Sequence, residues 1–147
     1  MKARRVNDYV AHLLAQANRQ VNQQLAGEGV SLENWRVLAI VAEEEGPTMR
    51  ALARKMSMQH PTVTKIIDKM VSEALVYRVP DPADRRKVRI FLSDKGRAAL
   101  AEQNAMVASH QGKVESAYGA KRMKELKAML ASFIQEGASH FAEGSDT

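Results

Sequence analysis

Two short runs in this sequence carry side chains whose types and spacing suit contact with a polyanion. The first, Gln59-His60-Pro61-Thr62-Val63-Thr64-Lys65, sets polar groups at the head of an apolar-periodic segment. The second, Asp81-Pro82-Ala83-Asp84-Arg85-Arg86-Lys87, is a turn cluster that ends in three cations. Glutamine pairs bidentately with adenine, threonine offers a hydroxyl to a base edge and a methyl to thymine, and lysine reaches guanine or a phosphate. Arg85 and Arg86, at a turn, have the length and the planar cation to enter a narrow minor groove. Asp81 and Asp84 beside them are not out of place there. A carboxylate in the same turn accepts from a guanidinium and fixes its direction before docking.

Catalytic chemistry finds no such support. There is no Gly-rich phosphate loop, no Ser-His-Asp arrangement that spacing can defend, and the four histidines (12, 60, 110, 140) share no metal-like spacing. With no cysteine, disulfides, thiolate metal sites and cysteine-based redox sensing are excluded, which suits a reducing interior. The expectation is a protein that is not an enzyme and needs no cofactor or metal. Met1 to Arg5 is basic, but Asn7, Asp8, His12, Gln16, Asn18 and Arg19 interrupt every apolar run that a signal or spanning segment would need. A cytoplasmic protein with no membrane partner is expected.

The charge is localised. The 147 residues hold 22 Lys+Arg and 17 Asp+Glu, a net +5. Between Thr48 and Arg97 there are twelve Lys/Arg and five Asp/Glu, so that stretch carries +7 and the remainder −2. A local field of one sign is what counterion release at phosphates requires. The length allows one domain with a real core.

Stepping outward from the basic stretch, apolar periodicity predicts six helices. A first amphipathic helix runs from Val6 to Leu25 and stops at Gly27 and Gly29. Ser31 caps a second with Leu32, Trp35, Leu38, Ala39 and Ala42 on one face, ended by Gly46-Pro47. Thr48 caps a short third, Met49 to Met56, with Leu52 and Met56 opposite Arg50, Arg54 and Lys55. After the tight turn Ser57-Met58 a fourth spans Gln59 to Ala74, with Pro61 in its first turn, where the missing N–H costs nothing. Val76 to Val79 and Val88 to Leu92 then read as two strands around a basic hairpin tip. In the return strand, Val88, Ile90 and Leu92 cover the helices, while Arg89 and Phe91 face solvent. Ser93 caps a long fifth helix that breaks near Tyr118-Gly119, and a sixth carries Met123, Leu126, Met129, Leu130, Phe133, Ile134 and Phe141. The polar tail Glu143 to Thr147 is expected to be disordered.

Helix, short turn, helix and arginine-tipped hairpin is the order of a winged helix-turn-helix, whose second helix enters the major groove. The fold class is therefore mainly α, a winged helix-turn-helix with long N- and C-terminal helices forming a dimerisation region. The run from Leu52 to Met70, followed by Asp81-Pro82-Ala83-Asp84-Arg85-Arg86-Lys87-Val88-Arg89-Ile90-Phe91-Leu92-Ser93-Asp94-Lys95-Gly96, resembles the MarR family of bacterial transcription regulators. The specific part is the Asp-Arg-Arg hairpin followed by Leu-Ser-Asp-Lys-Gly.

That resemblance implies a homodimeric repressor bound to a pseudo-palindromic double-stranded DNA operator. Residues 1–30 and 100–147 would form the dimerisation helices and 31–99 the reading region. Gln59, His60, Thr62, Thr64 and Lys65 would face the major groove. Asp84, Arg85, Arg86 and Lys87 would form the wing, with Asp84 orienting Arg86, while Thr48 and Arg50 meet the DNA backbone. The Gln59-His60 pair departs from the Ser-Arg or Asp-Lys of many relatives, so base preference does not carry over. Many such regulators release DNA when a small aromatic or phenolic acid enters a crevice, which His12, Asn18, Arg19 and Trp35 would border here. The peroxide-sensing branch of the family is excluded by the missing cysteine. The rival is an architectural or protein-interaction winged-helix module without an effector.

Overall fold

The computed structural model describes residues 4–143. The tail expectation covers Glu143, which closes the last helix, and residues 144–147, which lie outside the described range. A turn of 3-10 helix at Val6–Asp8 precedes α1 (Val10–Gly27), α2 (Leu32–Glu43), α3 (Met49–Met56) and α4 (His60–Ser72); β1 (Val76–Pro80) and β2 (Val88–Leu92) follow, then α5 (Asp94–Tyr118) and α6 (Ala120–Glu143). The chain divides between Ala108 and Ser109 into two compact units.

In the first unit the apolar rhythm converges on one core. Val37, Leu38 and Val41 of α2 meet Leu52, Ala53 and Met56 of α3 and Val63, Ile67 and Met70 of α4, and Val76, Ile90 and Leu92 of the hairpin close the cluster. The spacing of Val63, Ile67 and Met70 is the i, i+4, i+7 stripe that leaves the opposite face of α4 to solvent. β1 and β2 pair antiparallel, Val76 opposite Leu92 and Pro80 opposite Val88. Two strands alone would not persist in water, and here their inner face rests on the helices.

Three caps foreseen from sequence are in place. Ser31 accepts from the Asn34 amide (3.2 Å), Thr48 from Ala51 (3.1 Å) and Ser93 from Gly96 (3.0 Å). Two boundaries differ from expectation. The first helix does not begin at Val6, because Asp8 turns back to accept the Arg5 amide (2.9 Å) and Tyr9 is extended before α1 starts. The fourth begins at His60 with Gln59 as an extended cap residue, and it ends at Ser72.

The Leu-Ser-Asp-Lys-Gly segment has a structural job. The Ser93 hydroxyl reaches the Ala74 carbonyl (2.6 Å), the Lys95 Nζ donates to the Glu73 carbonyl (2.9 Å), and Gly96 lets the chain pass against Leu75. The start of α5 thus satisfies the carbonyls left open at the end of α4. A Cβ at Gly96 would stand inside van der Waals contact of the Leu75 carbonyl oxygen, a backbone atom that cannot swing away. Gly96→Ala is therefore expected to destabilise the fold by about 1–3 kcal/mol, seen as a thermal midpoint lower by several degrees. An unchanged midpoint would show that α5 can shift without cost.

In the second unit α5 ends where Gly119 takes φ +106, and the Arg122 guanidinium lies 3.9 Å from the centre of the Tyr118 ring across that break. Along α6, Met129, Leu130, Phe133, Ile134 and Phe141 are exposed. In the first unit Val6, Val10, Leu13 and Leu14 are exposed as well.

Candidate nucleic-acid interface

The turn between α3 and α4 is made by Ser57 in the left-handed conformation (φ 54), with the Met58 amide returning to the Ala53 carbonyl (3.0 Å) and the Met58 side chain packed on the core. This is the hydrophobic closure that ends a helix sharply. It leaves Gln59, His60, Thr62 and Lys65 exposed at the head of α4, with Thr64 half-buried. Gln59 makes no side-chain cap bond, so its amide is uncommitted. The Thr64 hydroxyl donates to the His60 carbonyl (2.9 Å). To a partner Thr64 therefore offers its methyl and a lone pair rather than a proton.

The wing is stiffened from within. Asp81 accepts from the amides of Ala83 (2.8 Å) and Asp84 (3.2 Å), and the Asp81 amide donates to the Lys87 carbonyl (2.9 Å). Asp84 Oδ1 accepts both the Arg86 amide (3.1 Å) and Arg86 Nε (3.1 Å). The Arg86 side chain is nevertheless 92% exposed. Its guanidinium is aimed but not covered. The side-chain and then the backbone hydrogen bonds from Arg86 hold the Asp84 carboxyl below the ordinary carboxylate range.

Seven of the twelve cations between Thr48 and Arg97 are engaged within the protein. Lys55 pairs with Glu44, Lys69 with Glu73, Arg78 with Asp68, Arg86 with Asp84 and Arg97 with Asp94. Lys95 and Arg89 donate to backbone carbonyls. The remaining five, Arg50, Arg54, Lys65, Arg85 and Lys87, are exposed. Three of these five, with Thr48, His60 and Arg86, line one groove of about 470 Å³ between α3, the head of α4 and the wing. The two runs, separated in sequence by residues 66–80, are thus brought to one surface, and Thr48 and Arg50 lie on it too. Thr48 accepts the Ala51 amide, which leaves its hydroxyl proton free to donate.

Arg54 belongs to this groove and was not among the expected contact residues, although its position one turn after Arg50 was a sufficient signal. Arg89 is a correction in the other direction. It is half-buried, and its Nε donates to the Gly46 carbonyl at 2.6 Å, so the outer face of β2 does not simply meet solvent.

A second cavity, of about 530 Å³, lies between the end of α2, β2 and α5, walled by Val41, Gly46, Phe91, Leu92 and Leu100 with Arg97 and Asn104 at its polar side. None of His12, Asn18, Arg19 and Trp35 lines it. His12 is half-buried on α1, Arg19 is exposed, and Asn18 accepts from the Asn22 side chain. Trp35 connects to the cavity indirectly, its Nε1 donating to Asn104 Oδ1 at 2.8 Å. Among the described residues no group of three or more acidic, His or Cys side chains could hold a metal ion, and no helix is long and apolar enough to cross a membrane.

Residues 30–88 match the MarR family. An HTH-type transcriptional regulator of Bacillus subtilis, YsmB, is 30% identical over 133 residues, covering 90% of this chain and 79% of that protein. The chain belongs to the MarR family. Another relative, the homoprotocatechuate degradative operon repressor of Escherichia coli, is 28% identical over 107 residues, 73% of this chain and 72% of its own. Two solved structures share the fold. The repressor CouR bound to a 23-mer DNA duplex superposes with a TM-score of 0.82 at 24% identity, over 91% of this chain and 98% of that one. NadR in complex with 4-hydroxyphenylacetate gives 0.74 at 23% identity, over 90% and 97%. This MarR protein is accordingly a winged helix-turn-helix transcription regulator that binds DNA, and its relatives are regulators rather than enzymes.

Proposed function

We propose that this MarR protein is a homodimeric repressor that occupies a pseudo-palindromic operator and leaves it when a small aromatic or phenolic acid binds. The observation that carries the DNA-binding half is the convergence of exposed, unpaired cations on one groove flanked by the helix head and the wing. In this reading Gln59, His60, Thr62, Thr64 and Lys65 address base edges in the major groove. Arg86, aimed by Asp84, enters the minor groove with Arg85 and Lys87 beside it, while Thr48, Arg50 and Arg54 hold phosphates. Residues 1–30 and 100–147 supply the dimer contacts, for which the uncovered apolar side chains of α1 and α6 are the support. A two-fold pair would set its reading helices about 34 Å apart, one turn of B-DNA. The place of work is the cytoplasm.

The effector half of the reading rests on relatives, one bound to 4-hydroxyphenylacetate and one named for an aromatic degradative operon. His12, Asn18, Arg19 and Trp35 are the proposed border of the crevice, with Trp35 tied to α5 through Asn104. A module that binds protein and leaves its basic groove unused has no observation in its favour.

The test is footprinting on the DNA upstream of its own gene, followed by affinity as a function of salt. Each neutralised phosphate contributes a slope of about −0.9 in log affinity against log salt, so a dimer with several phosphate contacts per subunit should show a slope of about −5 or steeper. A flat dependence would contradict the groove as a phosphate-binding surface. Release of the footprint by 4-hydroxyphenylacetate or a related phenolic acid is the expected sign of the effector.

A further inference from the structure

The wing is a two-stranded ribbon, and the direction in which it presents Arg86 must be set by whatever holds its root. On the inner face that is the core. On the outer face it is a hook. Arg89 Nε donates to the Gly46 carbonyl at 2.6 Å, and its guanidinium carbon lies 5.8 Å from the centre of the Phe91 ring. Phe91 in turn stacks on Tyr77 of β1, centroids 5.8 Å apart and planes 22° off parallel. Gly46 is buried with φ +90, and a Cβ there would collide with the Phe91 ring. The backbone follows the same path. The Ile90 amide donates to the Pro47 carbonyl (2.9 Å), and Thr48 forms a β-bridge with Arg89. One residue further on, α3 begins, with Thr48 as its cap.

We propose that Arg89 and Phe91, hooked on Gly46, are positioning residues that set the angle of the wing against α3 and α4, so that Arg86 meets the minor groove while Arg89 itself touches no DNA. A basic residue three places from Arg86 invites the opposite assignment, a phosphate contact. The geometry argues against that, because the donor nearest the backbone is spent on a carbonyl and the planar group lies against an aromatic face. The inference rests on the reading of the wing as a DNA contact.

Glutamine separates the two assignments, since its Nε2 sits where Arg Nε does, keeping the donor to Gly46 and losing the charge. Arg89→Met should weaken operator binding about tenfold, a sizeable part of what the wing contact supplies. Arg89→Gln should recover most of that, coming within about threefold of the wild type, the remainder being the lost long-range field. Arg89→Gln should leave the salt slope unchanged, whereas loss of a phosphate contact would lower it by about one. Arg89→Met added to Arg86→Ala should cost no more than about a further threefold, the lost field alone and well short of tenfold, because a device that only aims Arg86 has nothing left to aim.

Arg89→Gln binding as weakly as Arg89→Met with the slope reduced, full additivity with Arg86→Ala, or wild-type binding by Arg89→Met would each overturn the proposal. Should Arg89→Met fail to fold, Phe91→Leu, which removes the ring and no charge, takes its place in the cycle with the same expected non-additive loss; wild-type binding by Phe91→Leu then overturns it. Wild-type binding by Arg86→Ala alone would instead remove the wing contact. Where Arg86→Ala does weaken binding, the comparison of Met with Gln at Arg89 judges the hook.

Discussion

Glutamate at both Phe133 and Ile134 is expected to leave the helices intact, separate the protein into monomers and weaken operator binding by about a hundredfold or more. Phe133 is 51% exposed and Ile134 67%, with Met129 at 62% on the preceding turn and Phe141 at 78% two turns on. These are too many large apolar groups on one helix to be left in water without a partner. Because both positions are open in the single chain, their replacement removes no packing from its own core, and glutamate is a good helix former. In a dimer seam the same carboxylates would be desolvated without counter-charges, a cost of several kcal/mol per ion. The loss of DNA affinity follows from geometry rather than contact. A dimer binds its second half-site as an intramolecular event, and a monomer forfeits that effective concentration. Sedimentation equilibrium and binding to full and half operators measure both effects. A variant that stays dimeric and binds as before would show that α6 is not the seam.

What the sequence made legible here was local. Ser31, Thr48 and Ser93 could be named as caps because a cap bonds within three residues of itself. The core stripe Val63, Ile67, Met70 follows from helical period alone. Asp84 and Arg86 lie two residues apart, so their pairing could also be anticipated, as could the contiguity of the polar helix head. The start of α1 was missed for an equally local reason. The apolar rhythm runs unbroken through Val6 and Val10, but Asp8 competes for the backbone and breaks the helix that periodicity would join.

What stayed hidden depends on residues distant in the chain. Period-2 alternation puts Arg89 and Phe91 on the face away from the helical core, but it says nothing of the α2–α3 loop, 43 residues away from Arg89, that meets that face at Gly46 and keeps it from simply facing solvent. Likewise a count of +7 treats all twelve cations alike. Only the fold shows that Arg78 faces Asp68 and Lys55 faces Glu44, and that Arg50, Arg54 and Lys87 share a groove. The cavity beside Phe91 is a third case, since it gathers side chains from α2, β2 and α5 that no spacing rule connects.

Arg86→Ala is expected to weaken operator binding by about 1–3 kcal/mol for each wing, with an unchanged unfolding midpoint. The two halves of that expectation have separate grounds. Stability is spared because an ion pair with one partner 92% exposed holds almost no net folding energy. Affinity is not spared, because the Asp84 carboxylate has already restricted the guanidinium, so little side-chain freedom remains to be lost when it docks. The sign of the pH effect supports the same role. Arg86 depresses the Asp84 carboxyl below its ordinary value, so the pair is fully formed above the usual carboxylate range and dissolves only as pH falls through the lowered value. Across the neutral range the wing is therefore constantly aimed, and Asp84 contributes no pH dependence to binding there. Asp84→Ala, which frees Arg86 without deleting it, should fall between wild type and Arg86→Ala in fluorescence anisotropy titrations on the same operator. Affinity in Asp84→Ala above that of the wild type would mean that the carboxylate acts on DNA mainly as a repelling charge, and the aiming role would have to be abandoned.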